Sequence, residues 1–143
     1  MSIHIETIHN HINVDCKSLK QLGEKALRSR LRPSWTVSVT FVDDSYIREL
    51  NNKYLKRDGP TDVLAFPIDD QESPQNGTDK ILGDVYISLD RAKEQSIEYQ
   101  VPFHQEVSRL MLHGLFHLLG YTHEEMSPLI ERYLKVTDQT ETE

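Results

Sequence analysis

The chain has 143 residues, of which 37% are hydrophobic and 27% are charged, and its formal net charge at pH 7 is -7. This length suits one domain with a sizeable core, and no apolar run approaches the roughly 18 residues that a membrane-spanning helix needs. The negative charge argues against a protein that coats nucleic acid through bulk electrostatics. Basic residues nevertheless cluster at 28–32 and 53–57, so a local basic groove and solvated helix ends both remain open.

Two strands and one helix are predicted in the amino-terminal part. Residues 3–9 and 35–42 alternate between apolar and polar side chains, as strands with one buried face do. Between them, residues 19–27 carry leucine and alanine at helical spacing. The histidines at positions 4, 9 and 11 alternate with isoleucines, and we expect them to face solvent or to lie at a strand edge.

A second helix and two further strands follow. The helix is capped by 43–45 and ends before the turn residues 58–60. The short apolar run 63–66 ends at a proline, and this pattern predicts a buried strand. Residues 69–80 are rich in turn-forming residues and are expected to form a flexible loop, after which 81–88 forms the fourth strand.

The carboxy-terminal part is predicted to be helical. Helices are expected over 89–98, from 102 to 119, and around 130–136, and the acidic stretch 138–143 reads as a flexible tail. Strands interleaved with helices predict an α/β (α+β) fold, in which a small mixed four-stranded sheet packs with about five helices. We expect a single domain over residues 1–137.

Three histidines and one glycine form the most informative motif. His113 and His117 lie four residues apart, so on a helix both imidazoles can reach one metal ion. Gly120 is suited to the left-handed conformation that ends a helix, which lets the chain fold back and offer His123 as a third ligand. Three protein ligands leave one position for water, as in catalytic zinc sites. The motif therefore predicts a zinc-binding, zincin-like helix.

The residue after the first histidine departs from the zincin pattern. Zinc peptidases carry a glutamate there as general base, whereas this chain has Gly114. Peptide hydrolysis is therefore the less favoured reaction, and another group must accept the proton. Gly114 and Ser108 also suit the close approach of another backbone, so tight packing accounts for the missing glutamate as much as chemistry does.

The first residues and the cysteine content both bear on the cellular compartment of the protein. The first residues lack a basic segment followed by an apolar stretch, so no secretory signal is expected. The single cysteine, Cys16, cannot form an internal disulfide and fits a reducing cytosol. We expect a cytoplasmic protein without a membrane segment.

Four separate segments carry a resemblance to a known family. They are Leu50-Asn51-Asn52-Lys53-Tyr54, Pro60-Thr61-Asp62-Val63-Leu64-Ala65-Phe66-Pro67, Leu82-Gly83-Asp84-Val85-Tyr86-Ile87-Ser88 and the block from His113 to His123. Their order and spacing resemble those of the YbeY family over roughly residues 35–135. The histidine block together with Pro-Thr-Asp-Val-Leu is highly specific.

The resemblance implies a single-strand-specific, metal-dependent endoribonuclease of the bacterial cytoplasm. It implies a role in ribosomal RNA processing and maturation, at the 3′ end of the small-subunit RNA, and in ribosome quality control. It also implies one Zn²⁺ ion held by His113, His117 and His123, and a fold related to metalloproteases. The implied partners are single-stranded and ribosomal RNA, and the ribosome or its proteins.

One departure from the family lies next to the third histidine. Family members usually carry an aspartate at this position, and here it is Thr122. The change removes an acceptor that could orient a ligand imidazole. Glu124 and Glu125 are close enough in sequence to replace it.

A second departure concerns the family's arginine in the segment after Asn51. That arginine aligns with Leu55, so the guanidinium is absent at this position. Arg57 or Lys56 could reach a phosphate from the same loop, although lysine does not reproduce the two-pronged contact of arginine. We take Arg57 as the candidate catalytic residue, which would stabilise the charge that develops on the phosphate.

Several alternatives remain open at this point. The nucleophile could be water or the 2′-hydroxyl of the RNA, and the latter would need no glutamate beside the metal. The protein could instead be a zinc-dependent hydrolase of another substrate, which the related fold favours and Gly114 disfavours. It could also be a ribosome-associated binding module in which zinc is structural. Asp62 and Asp84, the acids within apolar runs, are expected to be structural before catalytic.

Overall fold

The computed structural model describes residues 1–9, 11–31, 35–59, 61–68 and 80–141. Its elements are β1 (Ser2–Thr7), α1 (Cys16–Leu27), β2 (Trp35–Val42), α2 (Asp44–Leu55), β3 (Val63–Pro67), β4 (Lys80–Ser88), α3 (Leu89–Glu98), α4 (Phe103–Leu118) and α5 (His123–Glu141). These elements confirm the predicted strands and helices. Most of the predicted flexible loop, residues 69–79, lies outside the described residues.

The four strands form one mixed sheet in the order β1-β2-β4-β3. β1 and β4 both run parallel to β2, and β3 lies antiparallel to β4 at the edge. The sheet and five helices confirm the predicted α+β fold. β1, α1 and β2 follow one another as a strand, crossover helix and parallel strand, which is why α1 packs on a face of the sheet.

Helices cover both faces of the sheet. The main core lies on one face, where α1, α4 and α5 bury side chains against inward-facing residues of β2 such as Val37 and Val39. On the other face, Ile47 of α2 packs with Val42 and Leu64 in a smaller cluster. The alternating side chains of β2 therefore point to two faces of the sheet, and each face contacts different helices.

Helix α4 is buried around most of its circumference. Val107, Leu110, Met111, Gly114 and Leu118 are buried, as are Leu112, Leu115 and Phe116 on its other sides. Only a narrow strip of the helix remains accessible, and His113 and His117 lie on it. The surrounding apolar contacts therefore fix the position of both histidines.

The main core draws on residues from Ile3 to Leu134. Helix α5 continues to Glu141, so part of the predicted acidic tail is helical in backbone, and residues 142–143 lie outside the described part. The boundary between a domain at 1–137 and a flexible tail at 138–143 stays a prediction. None of the helices in the described residues is long and apolar enough to span a membrane.

The prediction that the amino-terminal histidines face solvent or lie at a strand edge is wrong for His9, which follows the end of β1 and is buried. His4 and His11 are exposed, but the His9 side chain is only 5% exposed. Its Nδ1 accepts hydrogen bonds from the backbone N–H groups of His11 and Ile12, so the ring donates from Nε2 to Asp90 Oδ1 at 3.0 Å. The contact joins the loop after β1 to the first turn of α3.

Asp90 is the acceptor that holds this junction together. Its other carboxylate oxygen accepts from the backbone N–H of Asp44 at 2.8 Å. Burial alone would raise the pKa of Asp90, but the hydrogen bonds from the His9 ring and from Asp44 outweigh it and leave the pKa below its ordinary value of 3.8. Because the pKa of Asp90 is lower in the folded state, its ionised carboxylate stabilises the fold at pH values above 3.8. This stabilisation is lost as the pH falls through the folded-state pKa.

We expect Asp90→Asn to lower the free energy of unfolding at pH 7 by about 1 kcal/mol, since the hydrogen bonds weaken and the side chain is partly screened by water. The variant should also lose less stability than the parent between about pH 5 and 3. Urea unfolding over this pH range measures both effects, with the exposed Glu94→Gln in the same helix as control. An unchanged pH dependence would contradict this account.

Candidate metal centre

The third histidine is brought towards the first two by a glycine-ended helix. His113 and His117 lie one turn apart on α4. Gly120 then adopts the left-handed conformation with φ 84, and its N–H donates to the carbonyl of His117 at 3.0 Å. The chain reverses, and α5 begins at His123. The predicted helix stop at Gly120 is therefore confirmed.

A reciprocal cap fixes the start of α5. The Glu125 N–H donates to Thr122 Oγ1 at 3.2 Å, and the Thr122 N–H donates to Glu125 Oε1 at 2.9 Å. This is the capping box, in which both ends satisfy otherwise unpaired N–H groups. These hydrogen bonds hold the pKa of Glu125 below its ordinary value. Glu125 thus serves the helix end, and Thr122 has a structural use that a family aspartate could also fill.

The turn before His123 is anchored by Arg30. Its Nε donates to the Tyr121 hydroxyl at 3.2 Å and its Nη1 to the Tyr133 hydroxyl at 3.0 Å. The Tyr121 ring stacks on Phe116 of α4 with 5.4 Å between ring centroids. Of the basic cluster at 28–32, this residue therefore supports the turn and does not form a basic groove.

Two cavities meet at His113. The first, which we call the Arg57 cavity, has a volume of about 320 Å³ and is lined by Arg57, His113 and His117 together with Leu55, Val63 and Ala65. The second, the Arg109 cavity, has a volume of about 190 Å³ and is lined by Arg109, His113, His123, Met126, Ile130 and Leu134. His113 thus borders both His117 and His123.

All three imidazoles are of a ligand type that binds zinc. Their ring nitrogens do not yet converge on one point. The ring centroids of His113 and His123 are 6.2 Å apart. Two imidazoles on one tetrahedral zinc ion would have centroids roughly 5 Å apart, given zinc–nitrogen distances of about 2.0–2.1 Å. Within the described residues, no group of three His, Cys, Asp or Glu side chains already stands close enough to hold an ion. An approach of about one ångström would bring the His113 and His123 rings to the separation of two zinc ligands.

Electrostatics keep His113 in the form that binds metals. Burial lowers its pKa below the ordinary value of 6.5, and only the charge of Asp62 acts in the opposite direction. Arg109, His117 and His123 lower the pKa further. The imidazole is therefore neutral at neutral pH, with a ring nitrogen able to accept a metal ion.

Gly114 has no room for a side chain. A Cβ built on it would lie 2.5 Å from Val85 Cγ1 and 3.2 Å from Val63 Cγ2. Both neighbours are β-branched strand residues with little rotational freedom. The sheet therefore occupies the place that a zincin glutamate would need, which supports the expectation of close packing at this position.

Arg57 is positioned by the end of α2. Lys56 ends the helix in the left-handed conformation, with φ 54. The Arg57 N–H donates to the carbonyl of Asn51 at 3.3 Å, and the buried Asn51 side chain donates to the carbonyl of Gly59 at 2.9 Å. Because Leu55 and Arg57 line the same cavity, an arginine two residues later can reach the region where the family's arginine would point.

Asp62 lies near the site in a supporting role. One carboxylate oxygen accepts from the N–H of Val63 at 2.7 Å, and the other accepts from Gln95 Nε2 at 3.2 Å. These contacts favour the structural interpretation of Asp62. Asp84 lies on β4 opposite Phe66 and lines neither cavity.

Arg109 is a site residue that the sequence interpretation missed. It lies one helical turn before His113 and lines the cavity that His113 and His123 share. Its guanidinium is paired with Glu106 on the same helix. The four-residue spacing to His113 is the signal that could have identified it.

Comparison with known proteins identifies the family to which this chain belongs. The model of the family described as Endoribonuclease YbeY matches residues 4–135. A protein of Persephonella marina with that name is 46% identical over 108 residues, covering 76% of this chain and 69% of the relative. One from Alkaliphilus metalliredigens is 41% identical over 131 residues, covering 87% and 84%.

The fold also matches a solved structure. The solution structure of TM1509 from Thermotoga maritima aligns with a TM-score of 0.66 at 26% sequence identity. The alignment covers 93% of this chain and 87% of TM1509.

We expect Gly114→Ala to destabilise the protein by about 1–2 kcal/mol, because overpacking against Val85 costs more than the roughly 1 kcal/mol that alanine gains within a helix. Urea unfolding measures the change. In a Val85→Ala background the same substitution should cost at least about 1 kcal/mol less, since the clashing methyl group is gone. Stabilisation by Gly114→Ala in the parent chain would contradict the packing account.

Proposed function

Because the chain belongs to the Endoribonuclease YbeY family, we propose that it is a zinc-dependent endoribonuclease that cleaves single-stranded RNA. In this proposal one zinc ion is held by His113, His117 and His123. The substrate is ribosomal RNA, at the 3′ end of the small-subunit RNA, and the protein acts in the cytoplasm on the ribosome during maturation and quality control.

The observation that carries the proposal is the composition of the Arg57 cavity. It combines a guanidinium on one wall with His113 and His117 on another. A phosphodiester needs a cation at its non-bridging oxygens and a Lewis acid near the reacting phosphorus. The cavity offers a residue for the first requirement and two ligands for the second. A substrate without an anionic group would leave Arg57 without a role.

Each residue of the cavity has a definable task. Arg57 binds the phosphate through its planar fork of N–H donors and offsets the charge that grows on the phosphoryl oxygens in the transition state. Leu55, Val63 and Ala65 contribute apolar side chains to the lining of the same cavity. When bound, the metal would supply Lewis acidity at the phosphate. His113, His117 and His123 would orient it.

The attacking group is distinguished by the ends of the cleaved RNA. Attack by the adjacent 2′-hydroxyl forms the O2′–P bond and breaks the P–O5′ bond, which leaves a 2′,3′-cyclic phosphate and a 5′-hydroxyl. The proton of the attacking hydroxyl passes to an acceptor other than residue 114, and the leaving 5′-oxygen is protonated. Attack by water leaves a 5′-phosphate and a 3′-hydroxyl, and requires a proton acceptor elsewhere in the site. Labelled single-stranded RNA resolved by mass spectrometry separates the two.

We expect His117→Ala to lose bound zinc and to reduce cleavage of single-stranded RNA by at least about 100-fold. His117 is solvent-exposed, so the fold should survive the substitution. Metal content by mass spectrometry, circular dichroism and a cleavage assay measure the three effects. His4→Ala, an exposed histidine of β1, is the matched control. Full cleavage by His117→Ala would overturn the proposed ligand set, and loss of folding would favour a structural zinc site.

We expect Arg57→Ala to lower kcat by on the order of 100-fold without changing the metal content, because a donor to the developing charge is removed. Arg57→Lys should recover only part of the activity, since lysine offers a point charge in place of a fork. Arg48→Ala removes the same charge from an exposed position of α2 and should act like the parent. Activity of Arg57→Ala within twofold of that control would exclude the proposed role.

A further inference from the structure

The Arg109 cavity and the Arg57 cavity are lined by different residues, except that both are lined by His113. It is formed between α4 and α5, and His123 contributes to its lining. His113 is therefore shared by two cavities, each of which contains an arginine. A polymer whose reacting group sits at the histidines would extend into both cavities.

Arg109 is held in place by a buried acid. Its Nε donates to Glu106 Oε1 at 2.9 Å and its Nη2 to Glu106 Oε2 at 2.5 Å. The Glu106 side chain is only 2% exposed, whereas that of Arg109 is 36% exposed at the cavity. This two-pronged contact uses one edge of the guanidinium. Because a guanidinium has five N–H donors, the edge formed by Nη1 and Nη2 can bind a second anion.

The other wall of the cavity is apolar. Met126 and Ile130 are buried on α5, with Leu134 one turn further along. A flat apolar group with an anionic substituent would contact this wall and Arg109 together. In single-stranded RNA, the unstacked base and its phosphate provide this combination.

We propose that the Arg109 cavity is a nucleotide subsite, which binds the phosphate and the base of a nucleotide flanking the scissile phosphate. This inference rests on the proposed function, because it takes RNA as the polymer that crosses His113. The base lies against Met126 and Ile130, and the phosphate contacts the free edge of Arg109. Glu106 is the positioning residue that holds the guanidinium.

Nearby acids do not block an anion at Arg109. Glu131 also borders the cavity, but its side chain is 69% exposed and its carboxylate lies 3.7 Å from the Lys135 ammonium. Water and Lys135 therefore screen its charge. Asp62 also acts on Arg109 electrostatically, although both of its oxygens already accept hydrogen bonds.

A purely structural role for Arg109 would be to neutralise the buried Glu106. The double variant Glu106→Gln/Arg109→Gln separates this role from phosphate binding. It keeps two polar side chains that can hydrogen-bond to each other and leaves no buried charge. Arg132→Gln is the matched control, because it removes one arginine from the exposed surface of α5.

The first experiment measures binding of the zinc-loaded full chain to a fluorescent single-stranded 2′-O-methyl oligoribonucleotide across a series of salt concentrations. Loss of one phosphate contact should reduce the slope of log Kd against log salt by about 0.7 in the double variant. Its affinity at low salt should fall about 3- to 10-fold, while Arg132→Gln keeps the parent slope. An unchanged slope in the double variant, with its folding verified, would overturn the phosphate contact.

The second experiment tests the base. Cleavable RNA with an abasic nucleotide on one side of the scissile position should lose kcat/KM in the parent protein. Ser127→Trp fills the cavity from its exposed rim and should remove the difference between intact and abasic RNA. Arg132→Trp should preserve it. Equal sensitivity in Ser127→Trp and the parent would overturn the base contact.

The outcomes for the subsite and for the proposed function are distinguishable. Zinc-dependent cleavage by the parent, with unchanged binding and abasic sensitivity in the cavity variants, overturns the subsite alone. A zinc-loaded parent that neither binds nor cleaves single-stranded RNA overturns the proposed function and the subsite with it.

Discussion

The close seating of α4 on the sheet is the constraint on which the rest of the site depends. At Gly114 the helix backbone approaches Val85 and Val63 so closely that a Cβ cannot be accommodated. This contact leaves a narrow accessible strip on α4, where His113 and His117 lie. A glutamate at position 114 would push the helix away from the sheet and displace both histidines. The packing therefore accounts for a zincin-like helix without the zincin glutamate.

Two short hydrogen-bonded segments bring the remaining groups to this rigid helix. The turn at Gly120 and the capping box of Thr122 and Glu125 direct His123 towards His113. The end of α2, held by Asn51, places Arg57 in the lining of the cavity that contains His113 and His117. A buried helix thus carries His113 and His117, and hydrogen-bonded segments outside it position His123 and Arg57.

The sequence predicted features that depend on local periodicity and turn chemistry. The elements, the placement of His113 and His117 one turn apart on a helix and the helix end at Gly120 all follow from spacing within about twenty residues. Features that depend on distant partners were not predictable. The burial of His9 requires Asp90, which lies 81 residues away. The cavity that Arg109 shares with His123 was not predictable either, because it exists only where α5 packs on α4.

Zinc dependence is tested most directly by a zinc titration of the metal-free full chain, with cleavage of single-stranded ribosomal RNA measured at each step. If one zinc ion held by the three histidines is required for cleavage, we expect no cleavage without zinc, a rise proportional to the zinc bound, and saturation at one ion per chain. Cleavage that is independent of added metal would contradict this expectation, as would an inactive protein that has bound one zinc ion.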